Sequence, residues 1–381
     1  MRCLLLTAAV VLTACGCASG DAGDDALVSL GDVPRTHTHY LNAEGAALCR
    51  AAAATGGVGG YFLNPALITR VQGASGQASM RFNVKSRHYL PDNADYLESS
   101  DDGLLFAHAV AVKHTPPIVY GFGYSAPSYR SLELAGLIGG EPYEAQFSGG
   151  LKFFEVLFGT TIGSDSRGGI GVAAGIVNLN EEARVRLGDT LESARIDGIA
   201  ASFAVGMVFD VADQLSIGAG HRTGAGVEVE GEWTFAGSPE SRSGKSETQS
   251  TSVVGVEYRA MPSLRFHVSY VQEGWHQAAS TLSSYPELER DLFGEAIGTV
   301  ALGVEFDLHD GRITLRAGGS TVVQGEAEGV LVPEYSVGVG GVLRFDQYSG
   351  EVALVREQFE LNGKSAEAIN YGIYASVGYE F

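Results

Sequence analysis

The chain is short of charge, and what charge it has is mostly of one sign. Charged residues are 18 % of 381 positions, and 45 acidic against 25 basic residues leave a net charge of -20. Binding a phosphate backbone needs clustered lysines and arginines, so nucleic acid is disfavoured as a partner. Of four cysteines only Cys49 lies beyond the first seventeen residues, which rules out a framework of paired cysteines. No stretch after residue 20 is long and apolar enough for a spanning helix, so a membrane form of this chain has to be a closed barrel. Enzyme signatures are also missing: there is no G-x-S-x-G elbow, no H-E-x-x-H and no Walker loop. The closest histidine pair, His37 and His39 in RTHTHY, brings no third or fourth ligand and reads as a solvated linker pair. The expectation is a non-enzyme with no cofactor and no metal.

Glycine is plentiful at 52 residues, and the mean hydropathy is +0.07. The apolar residues are spread by alternation. In LRFHVSY, Leu264, Phe266, Val268 and Tyr270 share one parity, and Arg265, His267 and Ser269 the other. YSVGVGGVLRF sets Tyr335, Val337, Val339, Leu343 and Phe345 against Ser336, Gly338, Gly340 and Arg344; GVEVEGEW sets Val227, Val229 and Trp233 against Glu228, Glu230 and Glu232. A period of two gives strands with one apolar face and one polar or small face. Fourteen such pulses run from residue 75 to 381, most of them at or above the ~9–11 residues of a tilted spanning strand.

Connections largely alternate in length. Long ones fall at 86–103, 127–143, 180–195, 234–247, 275–295, 322–332 and 359–367; short ones include 210–214, 260–263, 309–311 and 346–350. One rim of tight turns and one of large loops is the asymmetry of an outer-membrane barrel, as are aromatics near strand ends such as Phe266, Phe345, Tyr371 and Tyr379. The fold class is all-β: a transmembrane antiparallel barrel of about fourteen strands over 73–381, placed in the outer membrane of a Gram-negative bacterium and in contact with its lipid. The last strand must pair with the first to remove both edges. The terminal Phe381 resembles the signal such proteins offer to the barrel assembly machinery.

The start, MRCLLLTAAVVLTACGCASG, has the charged, apolar and small-residue regions of a secretory signal over 1–19. Leu12-Thr13-Ala14-Cys15 resembles a lipobox, which would make Cys15 a lipidated first residue; a plain cleavage site between Gly16 and Gly20 is the alternative. Residues 20–40 read as a flexible acidic linker, and 41–72 as a compact piece rich in small residues. There Ala43, Ala46, Ala47 and Ala51 suggest a short helix ended by the glycines at 56–60, and Asn64-Pro65 a turn.

Asn64-Pro65-Ala66-Leu67 after an alanine- and glycine-rich segment resembles the hatch of the FadL/TodX family of outer-membrane transporters of long-chain fatty acids and other hydrophobic compounds. GMVFDVADQLSIGAGHRTG, SLRFHVSYVQEGWHQ and LVPEYSVGVGG resemble later strands of that family in order, so the likeness spans 41–381. It implies capture by outer loops, binding in the lumen beside an N-terminal hatch at 41–72, and lateral release into the membrane. Asn64, Pro65 and Ala66 would fix the hatch. A tethered Cys15 departs from the family by restricting the hatch N-terminus. Leu288, Leu292 and Phe293 in one loop, with Tyr285, and Leu132, Leu134, Leu137 and Ile138 in another, are candidates for an apolar mouth. Inward parity offers Arg222, Arg265, Arg316 and Arg344 to a ligand carboxylate, or to inward acids such as Glu228, Glu230, Glu273 and Glu380. A general polar porin and a secretion-associated or structural barrel are the alternative functions.

Two outcomes check the chain ends. Mass spectrometry of the mature protein should find a lipidated Cys15; an unmodified start beyond it overturns the lipobox reading. Deleting Phe381 should lower the amount assembled more than it lowers the stability of what does assemble.

Overall fold

The computed structural model describes residues 35–37, 41–54, 57–88, 98–100, 104–138, 141–163, 167–187, 189–235, 238–248, 250–274, 296–324, 330–331, 335–360 and 367–380. Cys15, Tyr285, Leu288, Leu292, Phe293 and Phe381 lie outside them.

Fourteen strands form a closed antiparallel barrel. They are β1 Ala74–His88, β2 Leu104–Thr115, β3 Ile118–Ile138, β4 Glu141–Ile162, β5 Gly168–Leu187, β6 Thr190–Ala212 and β7 Leu215–Arg222. The second half is β8 Ser250–Met261, β9 Leu264–Gly274, β10 Ile297–Leu308, β11 Ile313–Gln324, β12 Tyr335–Phe345, β13 Tyr348–Glu360 and β14 Glu367–Glu380. Each pairs with its neighbours in chain order, and β14 closes on β1 from Ala368↔His88 to Glu380↔Ser75. No helix among the described residues is long and apolar enough to cross a membrane; a barrel crosses with strands.

Alternation sorts the wall as expected. Each of the fourteen strands carries at least one large apolar side chain exposed on the outer surface, among them Phe82, Phe122, Phe158, Phe266, Val352 and Val377. An outer face in lipid needs no polar partner for these groups. The inner face holds Ser79, His108, Glu155, Arg222, His267, Glu305 and Ser376, all buried.

The outer rim differs from the sequence reading. Residues 127–143 and 180–195 are not loops: β3 and β4 run on through Ile138 and Glu141, and β5 and β6 through Leu187 and Thr190, as two long hairpins. The ladders run to Ile138↔Glu141 and Leu187↔Thr190. The expected strand 213–233 divides at 223–225 into β7 and Gly226–Phe235, and the latter pairs with Ser238–Glu247 in a further hairpin, so 234–247 is mostly strand. Val227 is buried and Glu228 exposed there, which removes Glu228 from the inward acids; Glu380 is exposed as well. Within the expected linker, Arg35–His37 is a short strand that pairs with both Ser128–Tyr129 and Val330–Leu331.

Residues 41–54 and 57–72 pack against inward-facing residues of the wall. Helix α1, Ala43–Ala47, is capped by Asn42, whose Oδ1 accepts from the Gly45 amide at 2.7 Å. It ends before the glycines at 56–60: Leu48 is its C-cap, and Cys49 and Arg50 follow in left-handed backbone, φ 49° and 70°. Asn64 caps the 3-10 turn Pro65–Arg70 by accepting from the Ala66 amide at 3.1 Å, and Pro65 supplies the fixed φ of a first helical position. Ala43, Ala46 and Ala47 pack on Ala353, Val355 and Tyr374 on one side of the barrel, and Ala66 and Leu67 on Val208 on another.

Inward glycines make this packing possible. A Cβ at Gly338 would lie 2.2 Å from the Ala46 carbonyl oxygen, and one at Gly171 2.3 Å from that of Pro65. Both neighbours are backbone and cannot swing aside. Gly338→Val or Gly171→Val should therefore lower the folded, heat-modifiable fraction on gels, by the ~1–3 kcal/mol typical of overpacking. Gly350→Ala, with nothing within 4 Å of the new carbon, should leave it unchanged.

Candidate functional site

Beside the small-residue packing lies a small cleft that opens toward solvent. Leu41, Phe62, Leu63 and Pro127 give it an apolar side. Its polar side includes Asn42, Glu44 and Thr251, with Arg50 paired to Glu273 of β9 at 2.8 Å. Both members of that pair are almost wholly buried, so Glu273, expected to meet a wall arginine, meets one from the lumenal segment.

The cleft is positioned by anchors on both sides. The Asn42 amide donates to Gln77 Oε1 of β1 at 3.2 Å, and the Ala43 amide to Ser376 Oγ of β14 at 2.9 Å. Asn64 Nδ2 donates to the carbonyls of Ala53 and Met207 at 2.9 and 3.1 Å, so one side chain ties two parts of the segment to β6. Where the segment leaves the lumen, both terminal nitrogens of Arg70 donate to Asp210 at 2.6 Å, a bidentate clamp near the short turn after β6. Tyr61 Oη lies 2.9 Å from Ser125 Oγ of β3; burial first, and then the charge of Glu155, push this phenol above its ordinary range.

All four arginines singled out by parity face inward, but each has protein acceptors. Arg222 on β7 makes an ion pair with Glu155, donates to Ser202 Oγ at 2.9 Å and to the Phe62 carbonyl at 3.3 Å, and lies 4.0 Å from the centre of the Phe62 ring. Arg316 donates to Glu305 at 2.6 Å, to Glu44 of the lumenal segment at 3.2 Å and to Glu351 at 3.4 Å. Arg265 donates to Asp307 at 2.7 Å, and Arg344 to the Gly311 carbonyl and Thr314 Oγ1 at 2.9 and 2.7 Å. As placed, two of them hold the segment and two brace the short-turn end, and the structure does not gather them into one carboxylate site. Parity finds direction in a strand but not the partner two or three strands away.

Glu257, His267 and Glu305 stand close enough on three adjacent strands to be weighed as a metal centre. His267 Nε2 faces Glu305 at 2.9 Å while Nδ1 faces Glu257 at 3.8 Å, so the two carboxylates sit on opposite nitrogens. Arg316 and Arg265 already crowd Glu305. The cluster is a polar and ionic network of the wall and ill suited to a cation.

The wall beside the cleft is interrupted. The β2–β3 ladder ends at His108↔Ser125, and β3 shifts register between Ser125 and Ser128. Pro127, which has no amide hydrogen to offer a ladder, lies inside that bulge and lines the cleft.

No family model matches the chain, and no curated protein matches it. Solved structures do share its fold. The Pseudomonas putida toluene transporter TodX aligns over 91 % of this chain and 99 % of its own, with a TM-score of 0.62 at 14 % identity. The Ralstonia pickettii toluene transporter TbuX aligns over 90 % and 100 %, with a TM-score of 0.64 at 12 % identity. The CymD monoaromatic hydrocarbon channel aligns over 89 % and 97 %, with a TM-score of 0.60 at 11 % identity. The fold is that of hydrocarbon channels of the FadL type.

Breaking the Arg222 anchor should be costly. Arg222→Met leaves Glu155 buried without its counter-charge and should destabilise by ~3–5 kcal/mol, read as a lower midpoint in urea. Adding Glu155→Gln should recover much of that loss.

Proposed function

We propose that this chain is an outer-membrane channel that takes up hydrophobic small molecules, binding them in the lumenal cleft and releasing them sideways into the membrane. The observation that carries the reading is the conjunction at Pro127: the apolar side of the cleft meets the wall where the β2–β3 ladder stops. A hydrocarbon has reason to leave there. Each exposed CH₂ costs ~0.8 kcal/mol in water, so a sideways exit into lipid is cheaper than passage down an aqueous pore. A bulge, where the ladder is locally irregular, is also the part of a barrel wall that opens at least cost, since fewer ladder bonds are lost.

The lumenal segment serves as the hatch in this reading. It occupies the cross-section between opposite walls and leaves the cleft on its upper side. The toluene transporters and the monoaromatic hydrocarbon channel that share this fold support an apolar cargo. Long-chain fatty acids are the second class that the mixed apolar and polar lining of the cleft suits in this reading.

Removing 41–72 should turn a nearly closed barrel into a leaky one. Single-channel conductance in planar bilayers should rise severalfold, and selective uptake of toluene or dodecanoate into cells should be lost. A large conductance in the intact protein that does not rise on deletion would replace this reading with that of a polar porin. A further check targets the break itself: filling the bulge by deleting Pro127 should reduce uptake without raising conductance.

A further inference from the structure

The strand Arg35–His37 lies upstream of the lumenal segment and outside the fourteen strands of the wall, yet it is bonded into the sheet on both sides. On one side it runs antiparallel to β3, with Thr36↔Tyr129 and His37↔Ser128. On the other it runs parallel to Val330–Leu331, with Arg35↔Val330 and Thr36↔Leu331. Ser128 is the residue at which β3 resumes its register after the bulge, and the β2–β3 ladder has already stopped at Ser125. β3 keeps β4 on its other side, through Ser128↔Leu151 and Tyr129↔Gly150. Arg35–His37 therefore occupies the edge that β2 gives up. Glu98–Ser100, from the connection between β1 and β2, covers the same edge farther out, from Ser100↔Glu133 to Glu98↔Ala135.

A bare strand edge invites pairing, and any extended segment can cover it, because main-chain bonds ask for no particular side chain. This cover is weakly held. It has two register pairs on each side, whereas the seam of the barrel runs from Ala368↔His88 to Glu380↔Ser75. Short pieces of sheet with few bonds open at far lower free energy than the long ladders they join. The strand is also a bridge. Val330 and Leu331 belong to the connection between β11 and β12, far from β3 in the order of the ring, and the strand between brings them within two strand spacings of the break, about 10 Å. Only residues 38–40 separate His37 from Leu41, which lines the cleft, a reach of at most about 14 Å. Loop, break and cleft are thus tied to one short strand.

We infer that Arg35–His37 is a latch. Docked, it completes the wall next to the break and draws the β11–β12 connection toward it. Released, it frees the edge of β3 beside Pro127 and lets the break widen. This rests on the channel reading and adds to it a closed state made by a strand that belongs neither to the barrel nor to the lumenal segment. Release costs only the latch's own pairs; the β3–β4 ladder stays whole, so the break widens with no loss of closure elsewhere. The sequence carried little signal of this, since RTH within RTHTHY is too short to show a period of its own.

The test locks and frees the strand in the full chain. Neighbouring antiparallel pairs alternate between close and wide Cα spacing, so of the double variants Thr36→Cys with Tyr129→Cys and His37→Cys with Ser128→Cys at least one admits a disulfide. Each is oxidised on cells with copper phenanthroline, and the bond is confirmed by mass spectrometry of non-reduced peptides. The readout is the initial rate of radiolabelled toluene uptake, with cells lacking the protein subtracted. The bonded form should take up toluene at least about tenfold more slowly, because nearly every molecule is then held closed, and dithiothreitol should restore the rate. Thr36→Pro, which removes an amide hydrogen from the latch, should raise the rate about threefold, the change in open fraction that one lost backbone bond makes. Single-channel conductance should stay as it was, since the lumenal segment is untouched. Heat-modified gel mobility confirms that Thr36→Pro is folded; if it is not, removal of 20–37 should show the same rise. Uptake by the bonded form at the wild-type rate, failure of both disulfides to form, or a rate that does not rise on release overturns the inference and leaves the channel reading standing. If wild-type cells take up no more toluene than cells lacking the protein, both fall.

Discussion

Closure of the barrel is the constraint on which everything else depends. In hydrocarbon a strand edge has no water to satisfy its N–H and C=O groups, so the wall is stable only when the last strand finds the first. Here β14 meets β1 along nearly its whole length. That pairing also sets Tyr374 opposite Arg81 and brings Ser376 beside Ser79 and Ala43, so the seam of the barrel doubles as part of its inner lining. A slip of one residue would turn Tyr374 and Ser376 outward and Ile373 and Val377 inward, losing both the lumenal contacts and the apolar outer face.

Closure makes a tube, and the tube is then filled in two different ways. Part of the filling is steric: alanines of the lumenal segment lie against glycines of the wall at distances that admit no side chain. Part is electrostatic, through Arg222–Glu155, Arg316–Glu44 and Arg50–Glu273, each with both charges buried. Buried pairs of this kind add little net stability beside an apolar filling, but they penalise wrong placement strongly. The segment is thus held in position by what misplacement would cost, with the apolar part of the cleft left free of both devices.

Much of this was legible in the sequence. The period of two in LRFHVSY and YSVGVGGVLRF gave the correct face for every residue whose burial is described, because the pleat has no other option. Asn64-Pro65 gave a local cap for the same reason: its chemistry acts within three residues. The errors have a common origin. Strand ends at 127–143 and 180–195 read as loops because they lie between the clear apolar pulses of the wall, although SLEL and ARVRL keep their alternation and the ladder itself continues. The split of 213–233 is hidden because the alternation of GHRTGAGVEV continues in the sequence although the faces invert across 223–225. Partner choice was the hardest part. Glu155 and Arg222 are 67 residues apart, and only the closed barrel brings them together.

The alternation of the wall has a consequence for how such a protein changes over time. An outward position of a barrel in a bilayer would ask only for an apolar side chain of almost any shape. Most inward polar positions ask only that charge and hydrogen bonding balance locally, which two or three simultaneous exchanges can achieve in many ways. The demanding positions are few: the glycines under the lumenal segment, its alanines, and Asn64 with Pro65. A lineage of these barrels can therefore drift until ordinary sequence comparison is blind to it, while the shape is kept by a small set of positions where only the smallest residues fit.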